Sequence, residues 1–103
     1  MVRLIALFDQ PEETDAFDAH YRDVHAPIVR RYPGLRDLRL TRPKAVGRST
    51  APYLMAEMSF VSREDLDAAL NSEAGIESGR DLRNFAGAGV TLFIADDDDA
   101  LDA

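Results

Sequence analysis

The chain has 103 residues and no cysteine, so it holds neither a disulfide nor a thiolate metal site. Its formal net charge is −7, but five of its 19 acidic residues are aspartates beyond residue 95, which leaves residues 1–95 with 14 acidic and 12 basic side chains. This near balance argues against nucleic acid as a partner, because phosphate binding needs a basic surface. No run approaches the roughly 18 apolar residues of a membrane span, and no signal-peptide pattern opens the chain, so we expect a cytoplasmic protein without membrane contact. We predict one domain at residues 1–95 and an acidic disordered tail at residues 96–103.

The first part of the chain predicts a strand followed by a helix. The run VRLIALF at residues 2–8 is short and apolar, which is typical of a strand. Residues 12–32 change to helical spacing, with Thr14 as a candidate cap and an Asp18–Arg22 pair on the outer side. The predicted inner stripe of this helix is Phe17, Tyr21, Val24, Ile28 and Tyr32.

Two further strands follow the first helix. Pro33 and Gly34 end that helix, and we assign both a structural role. Residues 35–42 and 53–60 predict strands, and the prolines and small polar residues of 43–52 predict a loop between them.

The last part of the chain predicts a broken helix and a fourth strand. Ser62 is a candidate cap, with Asp65 as its partner, for a helix that is interrupted near Ser72 and continues to about residue 85. The apolar run VTLFIA at residues 90–95 predicts the final strand.

The order β-α-β-β-α-β predicts an α+β fold. It fits a ferredoxin-like sandwich, in which two helices cover one face of an antiparallel four-stranded sheet and the last strand lies at an edge beside the first.

Strands one and four do not alternate between apolar and polar residues, as a sheet with one wet face would. Ile5 and Leu7 are apolar on the side opposite Leu4 and Ala6, and Phe93 is apolar on the side opposite Leu92. We therefore predict a homodimer through the helix-free sheet face, which gives a dimeric α/β barrel with an apolar cavity between the two sheets. The alternative is that residues 96–103 of the same chain cover this face, but that segment is too short and too acidic to do so.

The stretch HYRDVHAPIVRRYPGLR resembles the signature helix of the EthD-type proteins, within the dimeric α/β-barrel superfamily. The matching pattern is an aromatic residue, His-x-Pro-aliphatic and Pro-Gly-Leu, and Glu57 to Phe60 resembles a second segment of that family. The resemblance implies a loosely defined oxidoreductase connected with the oxidative breakdown of organic compounds. Because one barrel supports many reactions, the fold alone does not give the chemistry.

His25 is the main candidate for chemistry on the first helix. Pro27 lacks an N–H and predicts a break near residues 24–26, which would leave His25 at a kink. Either His25 faces a cavity as an acid or base, or it only holds the kink together. We expect His20 to be a surface residue beside Phe17, and the spacing of the two histidines does not suit a shared metal.

Strand three offers a second set of candidates. Alternation places Tyr53, Met55 and Glu57 toward the cavity between the sheets. Glu57 is either a general base or the partner of Arg3 or Arg39 in an ion pair. The predicted catalytic residues are thus His25 and Glu57, and the predicted substrate-binding residues are Tyr21, Ile28, Tyr53 and Met55.

Three functional hypotheses remain open from the sequence. The first is an enzyme that acts, without a cofactor or metal, on a small apolar oxygenated compound. The second is a binding or accessory protein for such compounds in a degradation pathway. The third is a stable dimer with no small-molecule role.

Overall fold

A computed structural model describes all 103 residues. Its strands are β1 (Val2–Phe8), β2 (Asp37–Thr41), β3 (Leu54–Phe60) and β4 (Val90–Asp96). Its α-helices are α1 (Thr14–His20), α2 (Ala26–Val29), α3 (Arg63–Leu70) and α4 (Glu73–Phe85), and a π-helical turn (Tyr21–His25) joins α1 to α2.

The four strands form one antiparallel sheet in the order β2-β3-β1-β4. This confirms the ferredoxin-like α+β prediction, including the position of β4 at an edge beside β1. In β3, Leu54, Ala56, Met58 and Phe60 are buried, while the residues between them are partly exposed. The buried set faces the helices, so the other face of the sheet carries no helix.

The core lies between the sheet and the helices. Phe8 and Phe60 of the central strands, Val29 of α2 and Leu66 of α3 are at most 1% exposed. Burying an aromatic or branched side chain of this size contributes about 1.5–3 kcal/mol each, so these contacts hold the helical layer on the sheet.

The π-helical turn changes the register of the first helical segment. The amide of Ala26 donates to the carbonyl of Tyr21, five residues earlier, instead of four. Because this wider turn advances each residue by a smaller angle, Val24 rotates outward to 42% exposure and His25 rotates inward to 5%. The predicted stripe was therefore wrong at Val24, and His25 takes the inner position. The break predicted near Pro27 is this widened turn, within a chain that stays helical.

Other local predictions for this segment need correction. Glu13, not Thr14, occupies the cap position, and no side chain caps α1. Asp18 pairs with Arg42 at 2.8 Å instead of with Arg22. The last α-helical residue is Val29, three residues before the predicted end, and a turn connects it to Pro33.

The predicted turn at Gly34 has a backbone reason. Gly34 has φ +76°, a conformation that side-chain-bearing residues rarely adopt. The chain reverses there before it enters β2, which agrees with the structural role assigned to Gly34.

Two serines begin the second helical layer. Ser62 accepts a hydrogen bond from the amide of Asp65 at 3.1 Å, as predicted, and Ser72 accepts one from the amide of Gly75 at the same distance. A Cβ on Gly75 would clash with the carbonyl oxygen of Ala69, so only glycine lets α4 pack this closely behind α3.

The C-terminal residues begin as an extension of the sheet. β4 continues to Asp96, one residue past the predicted boundary, and Asp97–Asp99 form a 3-10 turn. The amide of Asp97 donates to the carbonyl of Met1 at 3.2 Å, and its carboxylate lies 3.7 Å from Arg3. None of the helices has the length and apolar character required to cross a bilayer.

Candidate functional site

A buried carboxylate on α4 holds both histidines of the chain. Asp81 is 6% exposed, and its Oδ2 accepts a hydrogen bond from Nδ1 of His25 at 2.9 Å. Nε2 of His20 lies 2.9 Å from Oδ1 of Asp81, and Nδ2 of Asn84 donates to the same oxygen at 3.0 Å. We call these four residues the Asp81 cluster.

The charges within the Asp81 cluster follow from its surroundings. Burial raises the pKa of Asp81, but the hydrogen bonds from Asn84, His25 and His20 together bring it below its ordinary value. Burial lowers the pKa of His25 and outweighs the opposing effect of the Asp81 hydrogen bond and charge. Near neutral pH, His25 is therefore an uncharged imidazole whose Nδ1–H donates to an ionised carboxylate.

Phe85 places both imidazoles against one aromatic ring. Its centroid lies 4.9 Å from that of His20, nearly parallel, and 4.8 Å from that of His25. Tyr21 also packs against His25, at 5.1 Å, and lies next to Phe85 with its ring centroid 5.8 Å away. These contacts fix the plane of His25, so its second nitrogen has a defined direction.

An apolar pocket of about 90 Å³ lies beside His25, between the sheet and the helices. Nine of its 13 lining residues are hydrophobic, including Leu4 and Phe8 of β1 and Leu82 of α4. Leu92 of the edge strand also lines it and is 52% exposed, so the pocket opens at that edge. We call it the His25 pocket.

Two residues that line the His25 pocket have polar groups without a partner in the chain. Nε2 of His25 makes no hydrogen bond. Every fully enclosed side-chain nitrogen and oxygen in the chain has a hydrogen-bond partner, so Nε2 is not fully enclosed. The same holds for the hydroxyl of Tyr21, whose pKa burial raises, so that it remains a neutral donor. The hydroxyl of Tyr32, by contrast, is bonded to Ser78.

The structure does not bring His25 and Glu57 together. Glu57 pairs in register with Ile5 and Arg39 on the helix-free face of the sheet, whereas His25 lies on the helix side. The prediction that these two residues face one cavity between two sheets was therefore wrong. The pocket beside His25 lies within one chain, on the other side of the sheet from Glu57. No ion pair joins Glu57 to Arg3 or Arg39.

The predicted substrate-binding residues also separate. Tyr21 lines the His25 pocket, but Ile28 is buried away from it and Met55 lies on the helix-free face. Tyr53 was expected on that face as well, and this was wrong. It precedes β3, packs on Phe17 at 5.3 Å and donates to Asp18 at 2.9 Å, on the helix side.

Sequence reasoning missed Asp81 and misplaced His20. The inner stripe of α4 includes Ala74, Ser78 and Asp81, and an acid at such a helical spacing was the available signal. His20 is not a simple surface residue, since it contacts Asp81 and stacks on Phe85. No group of three or more metal-ligating side chains is arranged to hold a metal ion.

Comparison with known proteins agrees with the signature helix. A family model described as the EthD domain matches residues 9–89, a span that contains the Asp81 cluster. The chain belongs to the EthD family. It is 44% identical to an ethyl tert-butyl ether D (EthD) family protein from Bacillus halodurans, whose crystal structure aligns with a TM-score of 0.86 over 94% of this chain and 98% of that one. It is also 28% identical, over 98% of its own length and 99% of the relative's, to an uncharacterized 11.0 kDa protein of the thcB-thcC intergenic region of Rhodococcus erythropolis.

More distant structures share the fold of this EthD protein. One is a dimeric ferredoxin-like protein of unknown function from Thermobifida fusca, with 9% identity and a TM-score of 0.68 over 91% of this chain and 88% of that one. Another is SnoaB, a cofactor-independent oxygenase from Streptomyces nogalater, with 16% identity and a TM-score of 0.68 over 99% and 97%. At these identities the likeness concerns the fold alone.

Proposed function

We propose that this EthD protein is a cofactor-independent enzyme of the oxidoreductase type, which binds a small, largely apolar oxygenated compound in the His25 pocket. One observation carries the proposal. His25 is buried and lines an apolar pocket, its Nδ1 is fixed by Asp81, and its Nε2 has no partner within the chain. An apolar pocket with a few convergent polar groups is the usual form of a small-molecule site.

The step assigned to His25 is proton transfer. Nε2 of the neutral imidazole takes the proton of an acidic C–H or O–H group, and the electron pair of that bond stays on the compound as an enolate or phenolate. Asp81 stabilises the resulting imidazolium from 2.9 Å, while the Tyr21 hydroxyl can donate to the anionic oxygen. With dioxygen as co-reactant, such an anion supplies the electrons for oxygenation without a cofactor, which is the class of activity in SnoaB's name.

A second candidate function is binding without turnover. The small volume and the predominance of hydrophobic lining residues favour it, because few groups are available for chemistry. A cavity of about 150 Å³ accepts benzene, so a pocket of this size accepts a smaller group or the reacting end of a larger compound.

Isotope exchange tests the enzyme against the carrier. Butanone and phenol serve as probes in D2O, and NMR follows both deuterium uptake next to the butanone carbonyl and shifts of the Leu4, Met58 and Leu82 methyl groups. The enzyme should accelerate exchange, and His25→Gln should bind the probe without accelerating exchange. A carrier would show methyl shifts and no exchange in either protein. The proposal fails if neither probe shifts these methyl groups.

We also propose that the protein is a homodimer through its helix-free sheet face. Ile5, Leu7, Met55 and Phe93 form an apolar centre on this face, and Phe93 is 42% exposed in the single chain. Exposed apolar patches of this kind mark interfaces. The Thermobifida fusca neighbour is described as dimeric, which supports a dimer of this fold without giving its interface.

A further inference from the structure

We propose that a second cleft, on the other side of Tyr21 from the His25 pocket, binds a small organic carboxylate. This cleft has a volume of about 450 Å³ and lies between the first helical segment and the β2 edge of the sheet. Arg30 lines it together with Arg22 and Arg42, and we call it the Arg30 cleft. Its volume is within the range of small-molecule sites.

The floor of the Arg30 cleft is apolar because the helical layer ends before it covers β2. Leu40 points to the helix side of the sheet but remains 41% exposed. Leu54, Ala26 and the ring of Pro27 extend this floor. An uncovered leucine at the bottom of a cleft favours a ligand with an apolar body.

The rim of the Arg30 cleft is cationic although the chain is acidic overall. Arg42 is held by Asp18 at 2.8 Å and lies 4.6 Å from the centre of the Tyr53 ring, while Arg22 is held by its neighbour Asp23. No carboxylate lies within ion-pair distance of Arg30. The cleft therefore has one uncompensated cation.

Charge and shape together select the class of ligand. A guanidinium binds a carboxylate through two parallel hydrogen bonds, and Arg22 and Arg42 keep N–H groups free beside their pairs with Asp23 and Asp18. Inorganic phosphate would bind the arginines but make no apolar contact with Leu40. A neutral aromatic compound would contact only the apolar floor. A compact organic acid with an apolar body uses both.

The Arg30 cleft does not depend on the chemistry proposed for His25. Tyr21 is the only residue that lines both spaces, so it forms the wall between them. Binding in the cleft is therefore a separate property, which can be present or absent whatever His25 does.

Benzoate is the probe for this proposal, and benzyl alcohol is the neutral control of similar shape. In ¹⁵N NMR titrations, benzoate should shift amides of residues 21–30 and 40–54, and benzyl alcohol should bind at least about tenfold more weakly because it lacks the charge-assisted hydrogen bonds. Arg30→Gln should weaken benzoate binding by about tenfold. Arg80→Gln, which removes an exposed cation on α4, should leave it unchanged.

Three results would overturn the proposal: benzoate and benzyl alcohol binding equally well, Arg30→Gln behaving like Arg80→Gln, or benzoate producing no shift at the cleft. Because Arg30 is exposed, Arg30→Gln should fold normally, and far-UV circular dichroism checks this. Shifts confined to the Leu4, Met58 and Leu82 methyl groups would overturn the Arg30 cleft while agreeing with the His25 pocket. If the protein showed no exchange activity but still bound benzoate in the Arg30 cleft, the function proposed for His25 would be overturned and the Arg30 cleft would be supported.

Discussion

Nδ1 of His25 and Oδ2 of Asp81 lie 2.9 Å apart although 56 residues separate them in the chain. The contact exists because the π-helical turn rotates His25 inward, to the point where the inner stripe of α4 presents Asp81. A histidine held in this way keeps its proton on Nδ1 and leaves the Nε2 lone pair for a ligand. The widened turn therefore orients the base as well as burying it.

The first prediction concerns Asp81→Asn. Because the Asp81 charge and hydrogen bond raise the pKa of His25, their loss should lower that pKa further, and the imidazolium should lose its counter-charge. Probe exchange should fall by about 10²-fold or more, which is the usual contribution of a general base. NMR titration of the His25 ring measures the pKa and the tautomer directly.

A matched control for this substitution lies one turn away on α4. Glu77→Gln also removes a carboxylate, but Glu77 is exposed and pairs only with Arg31 on the surface. It should change stability by less than about 1 kcal/mol and leave the His25 titration unaltered. If both variants changed the His25 pKa equally, the specific role of Asp81 would be refuted.

The second prediction is a dependence of stability on pH. The pKa of His25 lies below its ordinary value of 6.5 in the folded chain, because burial disfavours the charged ring. Below pH 6.5 the unfolded chain therefore binds a proton that the folded chain does not, so the free energy of unfolding falls as pH drops below 6.5 and is fully retained above it. Asp81, whose pKa lies below 3.8, adds its own loss only at more acidic pH.

Urea unfolding between about pH 5 and about pH 8 measures this effect, which cannot exceed about 1.4 kcal/mol per pH unit for one group. His25→Gln should have a flatter profile than the parent protein. A difference between the two proteins that stays constant with pH would contradict the assignment to His25.

The sequence predicted the sheet and named His25 and Tyr21, but it missed Asp81 and misplaced Tyr53, for separate physical reasons. Alternation in β3 and the serine at position 62 are local signals, and both hold in the structure. Pro27 is a local signal for a break near residues 24–26, but the partner that His25 meets, Asp81, lies 56 residues away and gives no local signal. Tyr53 failed for a similar reason, since it lies one residue outside β3, where alternation no longer directs the side chain.

The third prediction tests the register of the π-helical turn through Val24. In a regular α-helix Val24 would face the core. Val24→Asn would then lower the free energy of unfolding by roughly 1–3 kcal/mol, because apolar burial is lost and a polar amide is desolvated. In the observed register Val24 is 42% exposed, and asparagine and valine have similar helix propensities. We therefore expect a change within about 0.5 kcal/mol in urea unfolding.

Ile28→Asn provides the comparison for Val24→Asn. Ile28 is 7% exposed, so the same asparagine there should cost about 3 kcal/mol or more. Equal losses at the two positions would mean that Val24 is buried and the turn is α-helical.

The fourth prediction concerns Gly79, which lies inside α4 and lines the His25 pocket. A Cβ at this position would meet nothing within 4 Å, so packing does not require glycine. Gly79→Ala should stabilise the helix by about 1 kcal/mol and raise the melting temperature. Gly79 lines the pocket together with Leu92, so a long side chain at position 79 should narrow the pocket.

Gly79→Leu separates access from stability. Leucine is also a good helix former, so the variant should melt no lower than the parent protein, but the binding of phenol to the pocket should weaken by about tenfold or more as the mouth closes. Unchanged phenol binding in Gly79→Leu would show that the pocket is entered elsewhere.

The fifth prediction tests the homodimer with two neighbouring residues of β4. Phe93 and Leu92 are 42% and 52% exposed but lie on opposite faces of the sheet, so glutamate at each position adds the same charge to different surfaces. Phe93→Glu should shift the mass in light scattering from twice 11.4 kDa to 11.4 kDa, because it buries a charge against the apolar centre around Ile5. Leu92→Glu should remain dimeric. If only Leu92→Glu dissociated the dimer, the interface would lie on the helix side of the sheet. If the parent protein were a monomer, the dimer proposal would fail, but the His25 pocket would remain because one chain forms it.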